Sequence, residues 1–153
     1  MRRLLVLGAA LSVLGSMQSY AQAPAGSLTS DQIIAVRQAV MDLQGGSAAA
    51  LKAAVEAKAD VKPLAPTVKG IVASSKLITT LFPAGTEKGH NTKAKPAIWS
   101  NSADFAKDAA NLTEASEKLV SLAEANDKEG FATQFAAMGK TCGACHREYK
   151  EKD

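Results

Sequence analysis

The chain has 153 residues and a formal net charge of +3. That length suits one domain with one hydrophobic core and is short for two. Aromatic residues make up only 5% of the chain, while alanine, leucine, lysine and glutamate are common, a mixture that favours helices over strands. The sequence offers no clustered basic face, so nucleic-acid binding is not expected.

The first 21 residues have the pattern of a cleaved export signal. Arg2 and Arg3 precede a short apolar run at 4–14, which small and polar residues follow. Removing the two arginines leaves 16 basic residues against 15 acidic ones, so the basic character belongs largely to this segment. No later stretch approaches the roughly 20 apolar residues that a membrane-spanning helix needs, so no span is expected in the mature protein.

Two positions satisfy the small-x-small rule for signal cleavage. Cleavage is expected after Ala21, because a cut after Ala23 would place Pro24 directly beyond the scissile bond, where a ring without an N–H fits an extended subsite poorly. The cut after Ala23 stays open as the alternative. Residues 22–153 would then form one mature domain in the periplasm.

The first predicted helix begins after residue 28 and runs to about residue 58. Thr29 or Ser30 can cap its first N–H groups. Gly45 and Gly46 mark a point where this helix can bend or be interrupted. Its apolar residues recur at helical spacing at Ile33, Val36, Val40 and Leu43.

The second predicted helix opens at Pro63 and Pro66, which a first turn tolerates, and ends before Pro83. A polar segment rich in turn residues, from Pro83 to Trp99, follows it. A loop of that length in a compact domain is often functional or covers a site. We therefore expect this crossover loop to be functional itself or to cover a site.

The remaining chain predicts two more amphipathic helices, separated by the turn at Asn126 and Asp127. The third begins near Ser100–Ser102, residues that can cap it. The fourth carries apolar side chains at intervals of three and four, at Phe131, Phe135, Met138, Cys142, Cys145 and Tyr149. Four helices with two short links and one crossover predict an all-α fold, an antiparallel four-helix bundle with left-handed crossing.

The segment Cys142-Gly143-Ala144-Cys145-His146 contains C-x-x-C-H, the attachment signature of c-type haem. Two residues three apart on a helix share a face, so two sulfurs can bond two vinyl groups on one porphyrin edge while His146 ligates the iron. A structural zinc site would need four ligands, and the one other histidine, His90, lies in a distant loop. A thioredoxin-like pair would need a strand before a helix N-terminus. One covalent haem c is therefore predicted.

The position of the motif, late in the chain and behind four helices, resembles class II cytochromes c, the cytochrome c′ family. The resemblance covers the mature chain, including the segments 36–41, 85–87, 95–100 and 139–149. It implies a covalent haem held between helices, with His146 as one axial ligand. It also implies that Met41 on the first helix determines the other face of the iron. Arg37, four residues earlier on the same helical face, would approach a haem propionate.

Two functions from different classes follow from the resemblance. In the first, the protein transforms no substrate and carries one electron in the periplasm between unidentified redox partner proteins, with His146 and Met41 both bound to iron. In the alternative, the iron has a vacant sixth position that binds small diatomic gases, nitric oxide foremost, and Met41 is a steric gate. The family often forms homodimers through its first two helices, and the alanine-rich surface from Ala48 to Ala57 suits close helix approach.

Overall fold

A computed structural model describes residues 27–152, and in that part of the chain every long regular element is a helix. The predicted export signal, 1–21, lies outside the described residues. Short 3₁₀ turns at Lys62–Leu64 and Ile78–Leu81 flank the second helix. The predicted all-α bundle is confirmed. Its helices are α1 (Ser30–Glu56), α2 (Ala65–Ser75), the single-turn α3 (Ala97–Ser100), α4 (Ser102–Glu124) and α5 (Lys128–Tyr149).

Side-chain caps stabilise the starts of α1 and α5. The Thr29 backbone N–H donates to the Gln32 side chain at 2.9 Å, and the Gln32 N–H donates to the Thr29 hydroxyl at 3.2 Å. This reciprocal pair satisfies two N–H groups that a helix start leaves free. Asp127 caps α5 by accepting a hydrogen bond from the Gly130 N–H at 2.9 Å.

The prediction of one long first helix is confirmed, whereas the prediction of a side-chain cap for α4 was wrong. Helix α1 runs unbroken through Gly45 and Gly46. Helix α4 has no side-chain cap, because the single turn of α3 leads directly into it through Asn101, whose carbonyl already accepts from the Phe105 N–H at 3.0 Å. The residues predicted to cap α4 therefore serve as a continuation of helical structure.

The second predicted helix is broken after Ser75. The Ser74 hydroxyl donates to the Ile71 carbonyl at 3.1 Å, and the Ser75 hydroxyl donates to the Val72 carbonyl at 2.8 Å. Hydroxyl groups that bond to nearby carbonyls compete with the helix ladder, which explains why α2 ends here and a 3₁₀ turn follows. The crossover loop is also shorter than predicted, because Pro96 starts α3.

The core lies between the four long helices and draws side chains from each of them. Leu51 of α1, Val68 of α2, Leu119 of α4 and Phe131 of α5 are all fully buried. Helix α4 is central, since it packs against both α2 and α5. Within residues 27–152, no helix is both long and apolar enough to cross a membrane.

We expect Phe131→Ala to destabilise the protein by about 3–5 kcal/mol, because a fully buried aromatic side chain is removed and a cavity is left behind. Leu77→Ala is the matched control, since Leu77 is 53% exposed and its loss should cost no more than about 0.5 kcal/mol. Urea denaturation followed by far-UV circular dichroism measures both. A Phe131 variant as stable as the control would contradict this assignment of the core.

Candidate cofactor site

The two cysteines of the C-x-x-C-H motif lie on the face of α5 that packs against the core. Cys142 and Cys145 are half-buried, both contact the core cluster, and no disulfide joins them. His146 follows directly in the last turns of the helix. Helical spacing and amphipathic packing therefore aim two thiols and an imidazole at the same region of the bundle.

Two adjoining cavities lie beside this motif. The larger has a volume of about 440 Å³ and is enclosed by α1, the crossover loop, α4 and α5. The smaller has a volume of about 160 Å³ and is enclosed by α1, α2, α4 and α5. Three residues line both cavities: Met41, Cys145 and His146. Together they form a mostly apolar space of the size that small-molecule cofactors occupy.

The protonation states of the motif suit attachment and ligation. Burial, followed by the charges of Asp108 and Cys142, raises the pKa of the Cys145 thiol to about 11. Burial also raises the pKa of Cys142. Both groups are thiols at neutral pH and resist the oxidation and metal capture that thiolates undergo. Partial burial, and then the charge of Lys150, lower the pKa of His146, which keeps its imidazole neutral and able to bind a metal.

Met41, predicted from the resemblance to face the iron, reaches the site from α1. Its side chain is half-buried, packs against the core cluster and lines both cavities together with His146. The thioether and the imidazole thus approach one space from different helices. Beside Met41, the smaller cavity is lined by Gly45 and Ala48, one and two turns further along α1.

Arg37 is one turn before Met41 and is buried, with only 2% of its surface exposed. Its guanidinium donates to the Thr86 hydroxyl at 2.9 Å, the Thr86 carbonyl at 2.8 Å and the Thr92 hydroxyl at 2.7 Å. Burial lowers the pKa of Arg37, an effect that nearby Glu87 opposes. The side chain lines the larger cavity and is not a solvated surface charge.

Aromatic rings complete the cage around Arg37. The guanidinium carbon lies 4.6 Å from the centre of the Phe82 ring and 5.8 Å from that of Trp99, within range of cation–π attraction. The Trp99 indole N–H donates to the Pro83 carbonyl at 3.3 Å. Trp99 does not line the larger cavity, but it contacts Phe82 and Arg37, which do.

The crossover loop is tied to the end of α5. The backbone N–H of Lys95 donates to the Tyr149 carbonyl at 2.9 Å, and that of Glu151 donates to the Lys93 carbonyl at 2.8 Å. The Lys95 ammonium also donates to the Arg147 carbonyl at 3.0 Å, one residue beyond His146. These bonds fix the rim of the larger cavity against the helix that carries the motif.

One turn of the crossover loop requires glycine. Gly89 has a φ of +105°, a conformation that side chains rarely adopt, and a Cβ at this position would lie 2.8 Å from the Asp31 carboxylate. The loop therefore passes close to the first turn of α1. This contact and the Arg37 cage anchor the loop to the same helix.

A model of the family described as "Cytochrome C'" matches residues 32–150. The chain belongs to the cytochrome c′ family. The cytochrome c′ of Rubrivivax gelatinosus is 38% identical over 124 residues, which cover 78% of this chain and 94% of that protein. Members of the family carry one covalent haem c, and the predicted cofactor is thereby confirmed.

Two solved cytochrome c′ structures resemble this fold closely. A cytochrome c′ described as having an unusual ligand-controlled dimer dissociation has a TM-score of 0.78 and 26% identity, covering 83% of this chain and all of its own. A ferrous variant of the Alcaligenes xylosoxidans protein with bound NO has a TM-score of 0.75 and 27% identity, covering 84% of this chain and all of its own. The bundle of this cytochrome c′ family member is therefore the family's fold.

Several residues of the site escaped the sequence analysis. Phe82, Thr86 and Thr92 surround Arg37, and Asp108 lines the smaller cavity. Nothing in helical periodicity singles out loop threonines as partners of a residue about 50 positions earlier. The sequence does point to Asp108, because this residue is next to Ala109 in the buried stripe of α4.

We expect Thr86→Val to destabilise the protein by about 1–3 kcal/mol, because it leaves part of a buried guanidinium without its hydroxyl acceptor. Thr133→Val is the matched control, an exposed threonine on α5 whose replacement should change stability by no more than about 0.5 kcal/mol. Urea denaturation of the haem-loaded proteins measures the difference. Equal stability of the two variants would show that the Arg37 cage contributes nothing.

Proposed function

We propose that this cytochrome c′ family member binds small diatomic gases, nitric oxide foremost, and transforms no substrate. The observation that carries this proposal is the position of Met41, which reaches both cavities while Gly45 and Ala48 beside it present little or no side chain. The space beside Met41 suits a two-atom ligand better than a large substrate. The NO complex of the Alcaligenes xylosoxidans protein supports the same ligand class.

When bound, the haem supplies an iron that can take up a gas molecule or exchange one electron. Cys142 and Cys145 would hold the macrocycle through two thioethers, since their sulfurs share one helical face beside the cavities. His146 would bind the iron through its neutral imidazole. Met41 would control access from the opposite helix.

We assign Arg37 to a haem propionate. Its guanidinium is buried, lines the larger cavity and has only neutral hydrogen-bond acceptors. Among residues 27–152 no carboxylate forms an ion pair with it. A buried cation that no carboxylate bonds directly is costly, and a carboxylate that accepts hydrogen bonds from the guanidinium offsets that cost.

The second candidate function is the electron carrier that the sequence favoured. The specific observation for it is that Met41 and His146 line the same two cavities from different helices. Met41 and His146 would hold the iron as a fixed ligand set, which would need little rearrangement when an electron arrives. The partners in this role would be unidentified redox proteins.

In either role we propose the periplasm as the location. This rests on the export pattern at 1–21, where Arg2 and Arg3 precede an apolar run. The mature domain would begin at Gln22.

Absorption spectra with and without carbon monoxide separate the two functions. If Met41 is a steric gate, the ferrous protein is high-spin and binds the gas. Met41→Ala then accelerates binding by roughly tenfold, the effect of removing about 1.4 kcal/mol of barrier. Met41→Leu, which keeps the bulk but not the thioether, leaves binding nearly unchanged.

The carrier function predicts the opposite behaviour of the same proteins. The unmodified ferrous protein would be low-spin and indifferent to carbon monoxide, and Met41→Leu would convert it to a high-spin, gas-reactive form. That pair of results would overturn the proposal of a gas-binding protein. A colourless protein with the mass of the bare polypeptide, made in a host that attaches haem, would contradict both functions.

We also propose that the chain forms a homodimer through α1. Val36 and Leu43, seven residues apart on one face of α1, are 40% and 72% exposed. Large apolar side chains aligned on an exposed helix face favour burial against a partner helix. The ligand-controlled dimer named for a similar structure supports a second copy as that partner. Along α1, this surface precedes the alanine-rich stretch from Ala48 to Ala57, which the sequence suggested for close helix approach.

Leu43→Glu should raise the dimer dissociation constant by about tenfold or more, because a charge would be buried at the centre of the interface. Leu77→Glu is the control, since Leu77 is 53% exposed but is not part of α1 and lies between α2 and the following 3₁₀ turn. Sedimentation equilibrium measures both constants. Equal effects of the two changes would show that α1 is not the interface.

A further inference from the structure

The charged side chains are distributed unequally between the two cavities. The larger is lined by groups of both signs: Arg37, Asp42, Lys93 and Lys150. The smaller, which holds both cysteines, is otherwise lined by apolar or neutral side chains and His146, and Asp108 of α4 is its one lysine, arginine, aspartate or glutamate among the described residues. A lone carboxylate at an apolar cavity needs a physical account.

Packing explains how Asp108 comes to this position. On α4, Phe105, Ala109 and Leu112 are buried, and Asp108 lies at the edge of that buried face, half-buried itself. Helix α5 packs against this part of α4. In residues 27–152 Asp108 has no ion-pair partner.

The charge of Asp108 reaches the end of α5 that carries the motif. Asp108 lines the smaller cavity together with Cys142, Cys145 and His146. After burial, its charge makes the largest contribution that raises the pKa of the Tyr149 phenol. Cys145 and Tyr149 are one turn apart and lie on either side of His146 in the sequence. The carboxylate therefore acts on the segment that would hold the iron.

We propose that Asp108 stabilises the ferric over the ferrous state of the haem and so lowers its reduction potential. Reduction adds one electron, supplied by a redox partner protein, and removes one positive charge from the site. A negative charge at the edge of a low-dielectric cavity favours the more positive state, because little solvent screens it there. This inference rests on haem attachment at Cys142 and Cys145 as proposed above, and applies to either candidate function.

Spectroelectrochemical titration of Asp108→Asn tests the inference. The substitution keeps the shape of the side chain and removes its charge, and we expect it to change the ferric-to-ferrous ratio at a fixed potential by about three- to tenfold in favour of ferrous. A tenfold change corresponds to a midpoint potential higher by about 59 mV for one electron. Asp108→Glu, which keeps the charge, should stay closer to the unmodified protein.

Asp104→Asn is the matched control. Asp104 lies one turn earlier on α4, is exposed and lines neither cavity, so its change should shift the ratio much less. An unchanged or lowered potential in Asp108→Asn, or an equal rise in Asp104→Asn, would overturn the inference. Because each protein is first shown to be coloured, this failure is distinct from failure of haem attachment, which would leave the unmodified protein colourless.

A second readout follows the charge without using the redox reaction. The chain has two tyrosines, Tyr20 in the predicted signal and Tyr149. In a Tyr20→Phe background, ¹³C-labelled tyrosine reports the phenol of Tyr149 alone. We expect Asp108→Asn to lower the pKa of Tyr149 by more than Asp104→Asn does, in keeping with the order of their contributions. An unchanged Tyr149 pKa would show that Asp108 carries no charge there, and the inference would fail.

Discussion

The buried guanidinium of Arg37 is the constraint on which the shape of the site depends. It joins α1 to the crossover loop through Thr86 and Thr92, and it packs against the rings of Phe82 and Trp99. A buried cation must satisfy its N–H groups, so the loop has little freedom in where it passes. That path makes the loop the outer wall of the larger cavity, as the length of the loop had suggested.

The motif helix and the first helix divide the chemistry between them. Helix α5 supplies two thiols and an imidazole, and α1 supplies the thioether of Met41 and the cation of Arg37. Neither helix encloses the space alone, since α4 and the loop close it from the sides. The hydrogen bonds from Lys95 to the end of α5 hold the crossover loop in a fixed position against that helix. The space beside the motif is therefore a property of the bundle rather than of one segment.

The charged residues of the molecule differ in how much their electrostatic interactions contribute. Five exposed ion pairs among the described residues, such as Lys69 with Glu124, lie on the surface, where solvent screens them and their contribution is small. Arg37 and Asp108, in contrast, border the cavities, where solvent screens their charges only weakly. We therefore expect function to be sensitive to these two residues, while the surface pairs affect mainly solubility and local helix stability.

Local sequence patterns were enough to predict the helices, the bundle and the cofactor. Apolar residues at intervals of three and four predicted α1, α4 and α5 because helical periodicity is local, and C-x-x-C-H predicted haem because its spacing is the geometry of attachment. A spacing of four residues placed Met41 and Arg37 on one helical face, and the fold turns that face toward the cavities while Val36 and Leu43 of the apolar stripe are exposed. Packing between elements decides which distant residues come into contact. The end of α2 at Ser75 depends on hydroxyl groups that bond to helix carbonyls, an alternative that periodicity does not register. The threonine cage of Arg37 joins residues about 50 positions apart, and Asp108 reaches Cys145 because α4 packs on α5. The local pattern of one element carries no record of its neighbours, so contacts of this kind become visible only when the helices are assembled.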